Sequence, residues 1–281
     1  MLEALEETLI DSLKLLPFLL ITYLIMELLE HKAGDKTTNV IKKAGRFGPI
    51  LGGLLGAVPQ CGFSVAAANL YAGRVITIGT LISIFLSTSD EMLPILISEG
   101  APINLILQIL GIKIGIGILF GCIIDIILRK KQTKKEKQKI HDVCEHEHCN
   151  CEEDGIIKST IKHTVQVFAY IFIISLAINI LLFIIGEDKI ASVISNIPLL
   201  GALISCLIGL IPNCASSVIL TEMYLENIIE LGTMIGGLLV NSGLGLLILF
   251  KVNKDKKENF FIIGLLYAIG FISALVINLI F

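Results

Sequence analysis

Apolar segments about as long as a bilayer is thick dominate the sequence. A helix needs about 20 apolar residues to cross the hydrocarbon core, and hydrophobic residues occupy 54% of the 281 positions, against 17% for charged residues. A soluble domain could bury a few such segments but not six or more, so the pattern predicts an all-α polytopic membrane protein. The segments are 13–31, 48–72, 75–98, 103–128, 161–186, 199–225, 229–250 and 259–281.

The remaining residues limit the range of partners. The first residues, MLEALEETLIDSLK, are acidic and lack the basic region of a cleavable signal, so we expect the first helix to be retained. Most charged residues lie in loops, and nothing in the net charge of -3 suggests nucleic acid. The seven cysteines are scattered and do not resemble a disulfide framework. We expect the lipid bilayer as a partner and no required cofactor, and the sequence leaves open whether the chain forms a homo-oligomer.

The two halves of the chain resemble each other. When the second half is shifted by 153 residues, LLGAVPQCGFSV (54–65) aligns without a gap with LIGLIPNCASSV (207–218), and Tyr71 aligns with Tyr224. Thirteen of the 36 positions from 54 to 89 match, and they include Gly, Pro, Cys and Tyr, which membrane helices do not share by chance as they share Leu and Ile. This predicts an internal duplication, with membrane repeats 1–128 and 161–281 on either side of a polar loop, 129–160.

Lysine and arginine indicate how the segments cross the membrane. Short cytoplasmic loops collect these residues, and they are concentrated here in 32–46, 129–139 and 251–257. If every segment crossed fully, three crossings would put the first two of these loops on opposite sides. The charge rule holds if 48–72 and 199–225 each enter and leave on one side, which makes the repeat inverted. Each half then has three crossings and one re-entrant hairpin, and both termini are extracytoplasmic.

Proline marks the expected tip of each hairpin. Pro59 and Pro212 cannot donate to the carbonyls one turn before them, so each interrupts its helix. Irregular backbone at membrane depth requires protein or a water-filled cavity around it, so the tips PQC (59–61) and PNC (212–214) should meet near the midplane. Small residues, including Gly52, Gly53 and Gly56, should let the hairpin arms pack closely. The alternative is a pair of proline-kinked spanning helices, which would break the charge rule.

The doubled G-x-x-P-[QN]-C motif and STSDEMLP (87–94) resemble a known family. This family is that of ten-helix heavy-metal exporters, whose members are labelled arsenic efflux proteins or manganese transporters. Its ten helices match six crossings plus two hairpins with two arms each. The resemblance covers nearly the whole chain outside 129–160 and implies an exporter of a metal or metalloid, without identifying the ion.

Buried carboxylates offer one candidate substrate site. Asp90 and Glu91 lie inside 75–98, where a bare carboxylate costs about 2.5–3.5 kcal/mol on insertion scales. Together with neighbouring hydroxyls and an amide, they form an oxygen set that suits a hard divalent cation such as manganese. Lys113 falls at a similar depth, either in a structural ion pair or holding the carboxylates until a metal or a proton arrives. The neighbouring groups are Thr88 and Ser89 in the first half and Asn241 and Ser242 in the second.

The hairpin tips offer a second, softer set of ligands. Cys61 and Cys214 favour zinc, cadmium or trivalent arsenic if they bind as thiolates, but cysteine is also a small residue that packs well. Amide and hydroxyl oxygens beside them could serve a hard ion. These are Gln60, Ser64, Asn213 and Ser217.

The polar loop contains the densest group of possible metal ligands. Six histidine and cysteine side chains lie within HDVCEHEHCNCEED (141–154), which is too polar to pack. We interpret this tract as cytoplasmic metal binding, with a merely solvated segment as the alternative. The six residues are His141, Cys144, His146, His148, Cys149 and Cys151.

Three classes of function remain. A secondary transporter for a metal or metalloid in the plasma (inner) membrane accounts for the repeat, the broken helices, the buried acids and the loop together. A permease for an organic or oxyanionic substrate is the alternative, since helix N-termini and Lys113 could bind negative charge. An intramembrane enzyme is disfavoured because the membrane segments lack paired His, C-x-x-C and G-x-S-x-G.

Overall fold

The computed structural model describes residues 16, 17, 20, 21, 23, 24, 47–58, 61–89, 92–132, 156–185 and 198–280. The regular secondary structure among these residues is helical. Short helical pieces occur between 16 and 24. The longer helices are α1 (Gly48–Gly56), α2 (Cys61–Ala72), α3 (Ile78–Ser87), α4 (Met92–Ser98), α5 (Ile103–Gln132), α6 (Ile156–Ile185), α7 (Pro198–Gly209), α8 (Ala215–Leu225), α9 (Leu231–Val240), α10 (Gly245–Val252) and α11 (Lys256–Ile280).

Most apolar segments correspond to helices, but two are interrupted where the sequence analysis drew one segment. Segment 75–98 is divided into α3 and α4, and segment 229–250 is divided into α9 and α10. The second break follows from local chemistry, because Gly243 takes a φ of +53° that a side chain would disfavour. The segments 48–72 and 199–225 each contain two helices, interrupted at the positions expected for the two tips.

The helix bounds repeat with the same 153-residue shift as the sequence. Helix α3, shifted by this amount, coincides with α9 at both ends. The shift also places the start of α4 on the start of α10 and the start of α5 on the start of α11. Both halves therefore use the same series of helices, although nearly two thirds of the aligned residues from 54 to 89 differ.

The contacts between the two halves are reciprocal: where a helix of one half contacts a helix of the other, the counterparts of these two helices also contact each other. Helix α2 packs on α10, and their counterparts α8 and α4 also pack together. The same exchange relates the contact of α3 with α11 to that of α5 with α9, while α3 and α9 contact each other. A two-fold relationship between the halves would produce such reciprocal contacts, and the two helices that contact each other, α3 and α9, are almost entirely buried.

Glycine brings neighbouring helices together within each half, but not along the arms we expected. A Cβ atom at Gly52 or Gly56 would press on α3, and one at Gly53 would press on Ile118 of α5 and Ser83 of α3. The prediction that these glycines pack α1 against α2 is therefore wrong, because α1 uses them to approach α3 and α5. In the second half, Gly209 of α7 similarly faces the backbone of Gly237 in α9.

Polar side chains hold the first turns of α3 and α9. Thr77 is the N-cap of α3, and its hydroxyl accepts a hydrogen bond from the Thr80 amide across 3.2 Å. Asp125 of α5 accepts from the Gly79 amide at 2.9 Å and from the Thr77 hydroxyl at 2.7 Å. At the equivalent position of the second half, Asn278 donates to the Thr233 hydroxyl at 3.2 Å.

The outer surface is apolar in the way that a lipid-facing surface must be. Large side chains such as Leu107, Ile126 and Leu279 are exposed, whereas a soluble monomer rarely exposes broad apolar patches. Four helical segments in the described part of the chain are long and apolar enough to cross a membrane. They are Ile78–Ser98, which includes two residues outside the described set, Ile103–Leu128, Leu231–Val252 and Lys256–Ile280.

Candidate functional site

Two helix breaks form the centre of the candidate site. After α3, Thr88 takes an extended backbone conformation (φ -54°, ψ 127°), and Ser89 donates its hydroxyl to the Ser87 carbonyl at 3.1 Å. After α9, Asn241 is also extended and accepts a hydrogen bond from the Gly243 amide at 2.8 Å. Since α3 and α9 pack together, the chain places non-helical backbone from both halves in the interior.

The side chains at these breaks are buried although they are polar. Less than 4% of the surface of each is exposed, and uncompensated burial of such groups is costly. The Ser242 hydroxyl has no hydrogen-bond partner within the described residues. A polar interior at two helix breaks is what a transport site in a membrane protein requires. The four residues are Thr88, Ser89, Asn241 and Ser242.

The segment PNC (212–214), expected as the second tip, is joined to the second break. Asn241 donates a side-chain hydrogen bond to the Ser216 hydroxyl at 3.1 Å, and Ser216 donates to the Asn213 carbonyl at 2.7 Å. The sequence analysis selected Asn213, Cys214 and Ser217 here but missed Ser216, the residue that makes the connection. The only signal was that Ser216 stands between two selected residues in NCASS.

Cys214 and Ser217 are both buried at the start of α8. Cys214 is the N-cap residue, and its carbonyl accepts the Ser217 hydroxyl at 2.8 Å. Cys214 is 5% exposed and Ser217 is 3% exposed. The Ser217 hydroxyl therefore donates within its own helix, while the Cys214 sulfur lies in the interior beside the tip.

The segment PQC (59–61), expected as the first tip, lies mostly outside the described residues. Cys61 begins α2, with its side chain outside the described set, and Gln60 lies outside the described residues. Ser64, one turn into α2, is fully buried, and a Cβ atom at Gly245 of α10 would lie 2.8 Å from the Ser64 Cβ. The start of α2 therefore reaches the second break, where α10 begins.

Lys113 lies between the two halves. Its side chain is 1% exposed, and its ammonium donates to the Thr88 carbonyl and, at 3.0 Å, to the Leu238 carbonyl. These oxygens come from the C-terminal ends of α3 and α9. The ammonium thus contacts Thr88, which precedes Asp90 by two residues in the chain.

Several predicted ligands lie outside the described residues. They include both acids of STSDEMLP (87–94) and every ligand of the polar loop. Among the residues that the structure does describe, no three His, Cys, Asp or Glu side chains come together as a metal-binding group. The predicted ligands outside the described set are Asp90, Glu91, His141, Cys144, His146, His148, Cys149 and Cys151.

Tyr23 and Asn69 add a polar contact that the sequence analysis missed. The Tyr23 hydroxyl donates to the Asn69 side chain of α2 at 3.1 Å, and Asn69 donates to the Val65 carbonyl at 3.1 Å. Both side chains are buried. The first apolar segment is thus tied to α2, the helix that starts at the first tip.

Comparison with known proteins finds one matching family. A family model described as "Putative, 10TM heavy-metal exporter" matches residues 4–178 and 141–255. No curated protein and no solved structure matches the chain. The match covers both membrane halves and most of the described helices.

Proposed function

This chain belongs to the ten-transmembrane heavy-metal exporter family, and we propose that it is a secondary transporter that exports a divalent metal cation or a metalloid across the plasma membrane. The observation that carries the proposal is the pair of broken helices, α3–α4 and α9–α10, whose polar ends are buried together around Lys113. Secondary transporters commonly bind substrate at discontinuous helices of this kind.

The membership also fits the other coarse predictions from sequence. The chain is a multi-pass membrane protein of a transporter family, which argues against an intramembrane enzyme. The sequence contains no nucleotide-binding motif, so an ion gradient or the membrane potential would drive export.

The repeat is inverted in the proposed topology. The reciprocal contacts of α2 with α10 and of α8 with α4 support a two-fold relationship, and the charged loops support its axis lying in the membrane plane. The segments 48–72 and 199–225 then enter from opposite faces as re-entrant hairpins. Loop 129–160 is cytoplasmic, and both termini are extracytoplasmic.

We propose that the substrate site consists of oxygen ligands. Asp90 and Glu91 follow directly on Thr88 and Ser89, and Asn241 lies at the equivalent break of the second half. Carboxylate, hydroxyl and amide oxygens suit manganese or another hard divalent ion. The position of both acids within an apolar segment favours this set over sulfur, because an unneeded buried acid is more costly than an unneeded buried thiol.

Sulfur ligands are the competing arrangement. The buried Cys214 lies at one tip, and Cys61 occupies the matching position in sequence. Thiolates at both tips would select cadmium, zinc or arsenite. An oxyanion permease is the remaining alternative, but the Lys113 ammonium donates to backbone carbonyls, which makes it less accessible to an anion.

Transport assays on two variants distinguish the oxygen site from the sulfur site. In everted membrane vesicles supplied with manganese, zinc, cobalt, cadmium, arsenite or phosphate, Asp90→Asn should lose most metal export if carboxylates hold the ion, because it removes a charge that the ion requires. The double variant Cys61→Ser with Cys214→Ser should then be mild. The opposite pattern, with intact export in Asp90→Asn and collapse in the double variant, would assign the site to sulfur.

A matched control tests whether the removal of any carboxylate from a membrane helix would reduce export. Asp125→Asn also removes an acid from a membrane helix, but Asp125 binds the first turn of α3, and the second half has Asn278 at this position. Asp125→Asn should therefore export normally at equal membrane expression. Loss of export in both Asp→Asn variants would argue against a specific role for Asp90.

A further inference from the structure

The Lys113 side chain lies where two helix ends present carbonyl oxygens to the protein interior. Thr88 follows the last residue of α3, and Leu238 lies in the last turn of α9. The Lys113 ammonium of α5 donates to the carbonyl oxygens of both. One charged group therefore bridges the first half of the chain to the second, 125 residues further on.

The partial charges of the two helix ends favour a cation at this place. A helix C-terminus carries a partial charge equivalent to about -0.5, concentrated on its unpaired carbonyls. Both carbonyl oxygens therefore attract positive charge, and the group that lies between them is a monovalent one, the Lys113 ammonium.

The fold itself does not require a charge at this position. The 153-residue shift places Leu266 of α11 at the position that corresponds to Lys113 of α5. Leu266 is also fully buried, so the same architecture is completed by leucine in the second half. Since burying an ammonium in a membrane protein is expensive, the lysine points to a role beyond packing.

The geometry points to a monovalent-cation site formed by the carbonyl oxygens of Thr88 and Leu238, which Lys113 fills with its own ammonium as a tethered cation. Backbone carbonyls at helix breaks are the ligands with which transporters hold such ions. The tethered cation joins the ends of α3 and α9 next to the proposed substrate site. This inference holds whatever the exported ion is, because it concerns the carbonyl oxygens alone.

Removal of the tether should make the site available to a free cation. In the purified full-length protein, Lys113→Ala leaves both carbonyls and a cavity of about the size of the lost side chain. We expect the melting temperature of this variant to rise saturably with ammonium chloride or potassium chloride, by about 2–4 °C relative to equal choline chloride. Choline supplies the same ionic strength but is too large to enter, so it controls for screening.

Three proteins serve as controls. The wild type should not respond, because its own ammonium fills the site, and Lys113→Leu should not respond, because leucine fills the cavity as it does in the second half. Leu266→Ala opens a buried cavity on the corresponding helix without Lys113's carbonyl pair. It should therefore melt at the same temperature in ammonium, potassium and choline.

Each outcome decides the inference. A Lys113→Ala protein that melts equally in all three salts, or a Leu266→Ala protein that shifts as much, would overturn it. If Lys113→Ala is lost during purification in choline, recovery in potassium or ammonium supports the site. Failure to recover it in any salt, while Lys113→Leu is recovered normally, contradicts it, because a free cation would then not replace the tether.

Discussion

Arg74 and Glu258, 184 residues apart in the chain, form a two-pronged ion pair with nitrogen–oxygen distances of 2.8 and 3.3 Å. The pair joins the turn after α2 to the first turn of α11, and the Arg74 guanidinium also lies 5.1 Å from the centre of the Tyr71 ring. Both charged side chains are mostly buried. The shift of 153 residues pairs Arg74 with Asn227 of the second repeat and Glu258 with Leu105 of the first, so the counterpart contact cannot form a second ion pair.

Arg74→Ala should destabilise the protein by about 1–3 kcal/mol, because it leaves the Glu258 carboxylate partly buried without its main partner. Adding Glu258→Gln should restore part of the loss, since the orphaned charge is then removed. Thermal unfolding of the two single variants and the double variant gives the coupling free energy. Strictly additive losses would show that the pair contributes little.

The contribution of this pair should be constant between about pH 6 and pH 9. Burial disfavours the charged form of Arg74, but the hydrogen bond and the negative charge of Glu258 outweigh it and raise the pKa of the guanidinium. The stabilisation that comes with a raised pKa is complete at every pH below the unfolded-state pKa. It is lost only as the pH rises through the folded-state pKa. The difference in melting temperature between wild type and Arg74→Ala, measured across this range, should not change.

Asn241→Leu should destabilise the second helix break by about 1–3 kcal/mol. Leucine has a similar size but cannot donate to the Ser216 hydroxyl or accept from the Gly243 amide, so it leaves buried polar groups without partners. Ser217→Ala is the matched control, since its hydroxyl only returns to the Cys214 carbonyl of its own helix start. Equal melting temperatures for the two variants would show that the tip and the break are not coupled through Asn241.

Asp125→Leu should destabilise the protein by about 1–3 kcal/mol, whereas Asp125→Asn should change stability by less than about 1 kcal/mol. The carboxylate accepts from the Gly79 amide and the Thr77 hydroxyl, and an asparagine oxygen can still accept from the amide. The two variants are compared by thermal unfolding in detergent. A severe loss in Asp125→Asn would mean that the charge itself, rather than an acceptor, is needed at the start of α3.

Cysteines of the polar loop should react with an impermeant maleimide only after the membrane is permeabilised. The charge count predicts that 129–160 is cytoplasmic, and in that case Cys144, Cys149 and Cys151 are shielded in intact cells. A variant with these three changed to Ser gives the background from the remaining cysteines. Labelling of the loop in intact cells would reverse the topology assigned to both repeats.

Deletion of 139–155 should weaken the apparent affinity for zinc or cobalt without abolishing export. Nitrogen and sulfur ligands bind these metals more strongly than manganese, and the tract lies outside the membrane segments. Export by everted vesicles, measured against metal concentration at equal expression, distinguishes affinity from maximal rate. Complete loss in a deletion that still reaches the membrane would make the loop part of the transport path.

Features that depend on residues close together in the chain were predictable from sequence alone. Segment length and apolar content predicted the membrane helices, and the proline-containing tips PQC and PNC marked where two segments are interrupted. The family resemblance that rested on these motifs is confirmed by the match over both halves. Duplication was visible for the same reason, because Gly, Pro and Tyr recur at one constant spacing.

Partners that come from distant parts of the chain were decided by the tertiary structure. Gly52 and Gly56 predicted a close helix contact, but only the packing of the folded chain shows that the neighbour is α3 rather than α2. Lys113 was recognisable as a buried charge, yet its partners at Thr88 and Leu238 are backbone carbonyls. Every residue has a backbone carbonyl whatever its side chain. The sequence therefore does not show which carbonyls a helix break leaves available to bind a cation.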